Sequence, residues 1–172
     1  LTYSRVNAAL TGATNCEFTH SDLFDNVDGL FDVIVANPPC GWVDPTIERA
    51  RTFSTGGAAY GSELPQRVLT GAFDRITADG RIYTTLTTPV IDGQPYVVRL
   101  LKETFGRQDV RATVYPVFEE YSYKRARLYR KHRVSKMVRY LVVIERRNGP
   151  LEIGFASFDS LRLWSYRVRA AI

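Results

Sequence analysis

Apolar residues recur along this chain at two alternating spacings, and the alternation predicts its elements. Leu64, Val68, Leu69, Ala72, Phe73 and Ile76 fall on one helical face. With Ser62 as N-cap, Pro65 in the first turn and Asp79-Gly80 as a stop, they predict a helix over 62–78. QPYVVRLLKETFG at 94–106 predicts a second helix closed by Gly106, and SRVNAAL at 4–10 the end of another, stopped by Gly12. Between these lie strand-length runs. FDVIVA at 31–36 is nearly continuous apolar and β-branched sequence, bounded by Gly29 and by Asn37-Pro38-Pro39, as expected of a strand buried on both faces of a parallel sheet. RIYTTLTTPV at 81–90, VRATVYPVF at 110–118 and VRYLVVIE at 138–145 predict further strands, and NCEFTH at 15–20 a short alternating one. Residues 40–61 are rich in Gly and small side chains and predict a loop with one helical turn near 45–51.

Strands alternating with helices, then a closing strand pair, imply an α/β fold with a sheet that is parallel except at one edge. The pattern covers 1–149 as one domain. From 150 to 172, Phe155, Phe158, Leu161, Leu163 and Trp164 mix with basic residues in no assignable period, an unassigned C-terminal extension.

Composition changes this picture mainly through charge. The 172 residues carry 23 Lys and Arg against 18 Asp and Glu, a net charge of +5. Eight cations fall between Lys124 and Arg139 with no acidic residue among them, so 23 less these 8 leaves 15 basic residues against 18 acidic. The cationic character therefore belongs to one strip. No apolar run of about 18 residues is present to span a bilayer, and no leader resembles a signal peptide. Cys16 and Cys40 cannot form a disulfide framework, so a reducing, cytoplasmic setting is expected. His20 and His132 are isolated, and no metal site is expected. The chain opens on Leu1 inside what reads as a helix, and its one Met is Met137; the natural protein is expected to begin upstream.

The string with chemical content is FDVIVANPPC at 31–40. In an open α/β sheet, ligands bind beyond the carboxyl ends of strands, and this strand ends in Asn-Pro-Pro. Two prolines fix φ and donate no N–H, so the Asn37 amide and the proline carbonyls form a rigid set of acceptors. Such a set suits a planar amino group, gripping its N–H bonds while its lone pair faces an electrophile. A plain turn after a strand is the simpler alternative.

SDLF at 21–24, FDVIVANPPC at 31–40, and a Gly-rich loop, helix and ADGRIY at 78–83 together resemble the class I S-adenosylmethionine-dependent methyltransferases. The resemblance is to their branch with an Asn-Pro-Pro-aromatic motif, which modifies amino or amide nitrogens, and it covers roughly residues 4–146. It implies a Rossmann-like methyltransferase fold, mostly parallel with an antiparallel edge hairpin. It also implies S-adenosylmethionine as cofactor, with Asp22 accepting from the adenine amino group, Leu23 against the ring and Asn37 near both cofactor and target. Asn37 and the Pro38 carbonyl would bind the target nitrogen, with Pro39 and Cys40 completing the motif.

This sequence departs from the family at two points. Its fourth motif position is Cys40, which cannot stack on a planar target, and Trp42 is the candidate replacement. None of its 12 glycines makes a Gly-x-Gly loop, and the acidic residue that would hold the ribose is missing. The first two strands are thus expected to be absent, leaving a gap in the sheet that a missing N-terminal segment would complete. The piece alone is expected to bind S-adenosylmethionine poorly, a point calorimetry would decide.

The strip YSYKRARLYRKHRVSKMVRY interleaves cations with tyrosines, which suits phosphates and bases. Arg127, Arg130 and Lys131 are its candidate substrate contacts, and a solvated face is the alternative. Three functions follow: an N-methyltransferase acting on RNA or DNA, one acting on protein glutamine or a small molecule, and a catalytically silent binding module. FSTGGAAYGSELPQRVL at 53–69 faintly resembles the glutamine enzymes, while Cys40 and the missing loop favour the silent module.

Overall fold

A computed structural model describes residues 1–42, 56–57, 59–120 and 126–157. Its elements are α1 (Thr2–Thr11), β1 (Phe31–Ala36), α2 (Glu63–Asp74), β2 (Ile76–Ile91), β3 (Gln94–Pro95), α3 (Tyr96–Phe105), β4 (Val110–Glu120), α4 (Ala126–Lys131), β5 (Val134–Arg146) and β6 (Glu152–Phe155), with a 3-10 turn at Ala59–Gly61. The fold is α/β around a six-stranded mixed sheet of order β1-β2-β5-β4-β6, β3 pairing with the far end of β2. The helical turn expected near 45–51 and the tail beyond 157 lie outside the described residues.

Parallel character is less than expected. β1 with β2 and β4 with β6 are parallel, whereas β5 runs antiparallel to both β2 and β4. The expected closing pair is present, since β5 pairs antiparallel with β4, but β5 is its inner strand and the short parallel β6 lies outside it. The composition of β5 gives the reason: Tyr140, Val142 and Ile144 are buried on one face of it, opposite Leu86, Thr84 and Ile82 of β2 and Pro116, Val114 and Ala112 of β4. An interior position pairs both rows of its backbone groups and fills the apolar face from two sides.

α2 and α3 cover that face, with Leu69, Phe73, Val97, Leu100, Leu101 and Phe105 joining the strand residues in one core. The opposite face carries Val35, Tyr83, Thr85, Leu141, Val143 and Tyr115 and is half-exposed or exposed. β1 was expected to be buried on both faces; it is an edge strand, with Val33 57% and Val35 76% exposed. Among the described residues nothing pairs with its outer side, and residues 15–20 form no strand. With only Cys16 and Phe18 apolar, that segment has little with which to hold a place in a sheet. α1 ends at Gly12 (φ 69°), as its sequence predicts, and buries no residue.

α2 stops at Asp74 and β2 begins at Ile76, so residues 76–78 are strand where a helix was expected. Arg75 forces the change. Its guanidinium donates to the carbonyls of Phe24, Val27 and Gly71, and its own carbonyl accepts the N–H of Phe31, which pulls the chain out of the helix and alongside β1. Asp92 (φ 47°) and Gly93 (φ 76°) turn β2 into β3 with two left-handed residues, as a tight hairpin demands.

Burial first, and the charge of Glu119 second, push the Tyr140 hydroxyl up to about 12. Because the unfolded chain ionises nearer pH 10, the neutral ring contributes stability that is fully present below about pH 10 and is lost as pH rises toward 12. Urea midpoints measured across that window should fall for the natural protein and flatten in Tyr140→Phe.

Candidate functional site at the carboxyl end of β1

Register sets the site. Ala36, the last residue of β1, lies beside Thr84 of β2, so the loop from Asn37 runs past the next residues of that strand. The Thr85 hydroxyl donates to Asn37 Oδ1. Two residues on, the Thr87 N–H donates to Cys40 Sγ at 3.2 Å. Asn37 is exposed, Pro38 buried, Pro39 and Cys40 half-buried, so the loop shows its amide to solvent while its prolines anchor it. An amide oxygen has two lone pairs; Thr85 takes one and fixes the direction of the other.

A second segment packs directly on the loop. The Gly56 N–H donates to the Gly41 carbonyl at 3.3 Å, and the Gly56 carbonyl accepts the Leu64 N–H at the start of α2 at 2.7 Å. A Cβ on Gly56 would collide with the Gly61 carbonyl oxygen and stand 2.8 Å from that of Pro39. A Cβ on Gly61 would stand 2.6 Å from the Cys40 carbonyl oxygen. Glycine at both positions lets two backbones touch. These glycines are structural spacers.

Trp42, weighed as a stacking surface for a target, is 3% exposed. Its ring lies 5.0 Å from Tyr60, meets His132 edge-on at 5.2 Å and is parallel to Tyr129 at 6.1 Å. Tyr129 belongs to α4, so Trp42 joins the Asn37 loop to the basic strip. On that helix Arg127, Arg130 and Lys131 are exposed at positions i, i+3 and i+4, on the side opposite buried Tyr129. Among the described residues these three make no ion pair. Arg133 pairs with Asp92 at 2.7 Å and Lys136 with Glu119 at 2.5 Å, while Lys124 and Arg125 lie outside the described residues. The strip thus divides into cations tied to the fold and cations facing out.

Asp22 faces Arg67 of α2 across 3.4 Å, with side chains 71% and 54% exposed. Leu23 has a left-handed backbone (φ 50°), and Phe24 packs against Gly71 one helical turn beyond Arg67. α2 therefore supports both regions, touching the Asn37 loop through Leu64 and Gly56 and the Asp22 turn through Arg67. An exposed pair this long contributes little. Asp22→Asn should change the unfolding free energy by less than about 0.5 kcal/mol, as read from chemical denaturation.

Sequence reasoning missed Thr85, Thr87, Arg139 and Phe118. Arg139 Nε donates to the Thr87 hydroxyl at 3.3 Å. Phe118 lies opposite Arg139 after a β-bulge following Pro116 and is 59% exposed. The signal was present in TTLTTP, whose threonines at 85 and 87 alternate with buried Leu86 and so share the open face. Among the described residues no group of three His, Cys, Asp or Glu could hold a metal ion, and no helix is long and apolar enough to cross a membrane. No protein-family model and no curated protein matches the chain.

Proposed function

We propose that this chain carries the target-binding part of an S-adenosylmethionine-dependent N-methyltransferase with a Rossmann-like sheet, acting on an exocyclic amino nitrogen of RNA or DNA. The observation that carries the reading is Asn37, exposed at the carboxyl end of a parallel strand with its side-chain oxygen oriented by Thr85. Further support comes from the order β1-β2-β5-β4, in which an antiparallel strand separates two that run the same way as β1. The outer edge of β1, which no described residue pairs, is where further strands of such a sheet would add.

Asp22 fits a cofactor contact. It is exposed, and one long contact to Arg67 leaves it most of a carboxylate's acceptor capacity. When bound, the cofactor supplies an activated methyl group. The chain's own residues hold the nucleophile: the free lone pair of Asn37 Oδ1 and the Pro38 carbonyl accept the two amino N–H bonds, which fixes the direction of the nitrogen lone pair. Alignment of this kind, with no covalent intermediate, is a large share of the catalysis. Exposed Phe118 offers the aromatic surface that Cys40 cannot.

Exposed cations on α4, anchored to the same loop by Trp42 and Tyr129, favour nucleic acid over a neutral substrate. Replacing Arg127, Arg130 and Lys131 together by Gln should lower the slope of log affinity against log salt by roughly two for a single strand, at about 0.7 per phosphate contact. An unchanged slope in fluorescence anisotropy would remove α4 from the substrate path. A catalytically silent module is the second reading, favoured by the Asp22–Arg67 pair, which occupies part of the proposed cofactor contact. Equilibrium dialysis of the full-length protein against labelled S-adenosylmethionine separates the two.

A further inference from the structure

On the open face of the sheet, most charged side chains are matched across strands. Arg81 pairs with Glu145, and Arg111 and Arg147 both meet Glu152. Arg139 is different: among the described residues no carboxylate pairs with it. It is exposed, and it is held by its Nε bond to Thr87, the residue whose N–H holds Cys40. Among the described residues its two terminal nitrogens make no hydrogen bond. A guanidinium fixed at Nε with a free fork is suited to one anionic group.

The register locates that group. Thr85, which orients Asn37, and Thr87, which holds Arg139, are two residues apart on β2, and Thr87 lies directly opposite Arg139. Two strand residues span roughly 7 Å and the cross-strand step adds about 5 Å. Together these steps place the Cα atoms of Thr85 and Arg139 roughly 9 Å apart, so an anion on Arg139 and a nitrogen at Asn37 can belong to neighbouring nucleotides of one strand. Met137, two residues before Arg139, packs under Trp42 and Tyr129. The α4 cations consequently stand on the same side of the sheet and extend the positive field.

We propose that Arg139 grips a backbone phosphate of single-stranded nucleic acid, adjacent to the nucleotide whose amino group lies at Asn37. This rests on the nucleic-acid reading of the site, and its test is a binding measurement that needs neither cofactor nor turnover. The probes are a fluorescein-labelled single-stranded oligonucleotide, its uncharged methylphosphonate counterpart and an acidic glutamine-containing peptide, titrated onto the full-length protein. Arg139→Gln should weaken the charged oligonucleotide about tenfold, lower its salt slope by about 0.7 and leave the uncharged strand unchanged. Arg139→Lys, which keeps the charge and loses the fork, should restore the salt slope and only part of the affinity. Equal binding by Arg139→Gln and the natural protein, equal loss on the charged and uncharged strands, or loss confined to the acidic peptide would each overturn the proposal. Unaltered thermal melting of both variants excludes misfolding as the cause of any loss. Methyl transfer, assayed separately with Asn37→Ala, reports on the enzymatic reading: binding that depends on Arg139 without transfer would sink that reading and leave the phosphate contact standing.

Discussion

Asn37→Ala in the full-length protein should reduce methyl transfer to an amino nitrogen by about a hundredfold or more, on the scale of losing one preorganised polar contact at a reacting centre. The exposed side chain supports no core, so thermal stability should stay within about 0.5 kcal/mol of the natural protein. Oligonucleotide affinity should stay within about threefold, since most of it is carried by phosphate contacts. The combination is diagnostic because a merely structural Asn37 would lose stability and binding together. Thr85→Val provides a graded companion. It keeps the shape and removes the hydroxyl that orients the amide, so it should cost about tenfold in turnover, with Thr85→Ser restoring most of it. Full methyl transfer by Asn37→Ala would end the assignment of the amide to the target nitrogen.

Gly61→Ala should be strongly destabilising. Gly61 has φ 74°, which disfavours any side chain, and the new methyl would press on the backbone oxygens of Cys40 and Gly41, at 2.6 and 2.8 Å. Backbone oxygens cannot swing aside like the end of a flexible side chain, so either the loop or the segment before α2 must move. Left-handed strain and overpacking together are expected to cost roughly 2–5 kcal/mol. Gly12→Ala is the control. Gly12 has a similar φ of 69° and nothing within 4 Å, so it isolates the backbone term at about 1 kcal/mol. Denaturation midpoints that fell equally in the two variants would show that the contact with Cys40 and Gly41 carries no energy.

The sequence made the middle of the fold legible because its signals there are local. The apolar stripe of α3, the glycine stop of α1 and the β-branched run of β1 each sit where pattern and capping place them. What escaped depends on partners distant in sequence. Arg75 ends α2 early through the carbonyls of Phe24 and Val27, which no window around residue 75 contains. β1 reads as a doubly covered strand, yet coverage belongs to its neighbours, and on the outer side the described residues supply none. In the candidate site, Asn37 and the basic strip were visible as motif and composition. Thr85, Thr87 and Arg139 were not, since their relevance comes from cross-strand register, which single-strand alternation cannot reveal. Trp42 illustrates the opposite limit: its type suggested a surface for stacking, and its surroundings make it an internal link between the loop and α4.

The placement of β5 between β2 and β4 has a consequence for how the chain assembles. β2 and β4 are complete by residue 120, but they do not pair with each other, and the strand that joins them begins only at Val134. Until that stretch leaves the ribosome, two apolar strands have unfilled edges facing each other across an empty slot. Sheet closure is therefore a late, long-range event, the slow kind of folding step and the kind most exposed to mispairing. Shortened versions of this protein that stop before Val134 are expected to accumulate as aggregates, even though they retain every residue of the Asn-Pro-Pro loop.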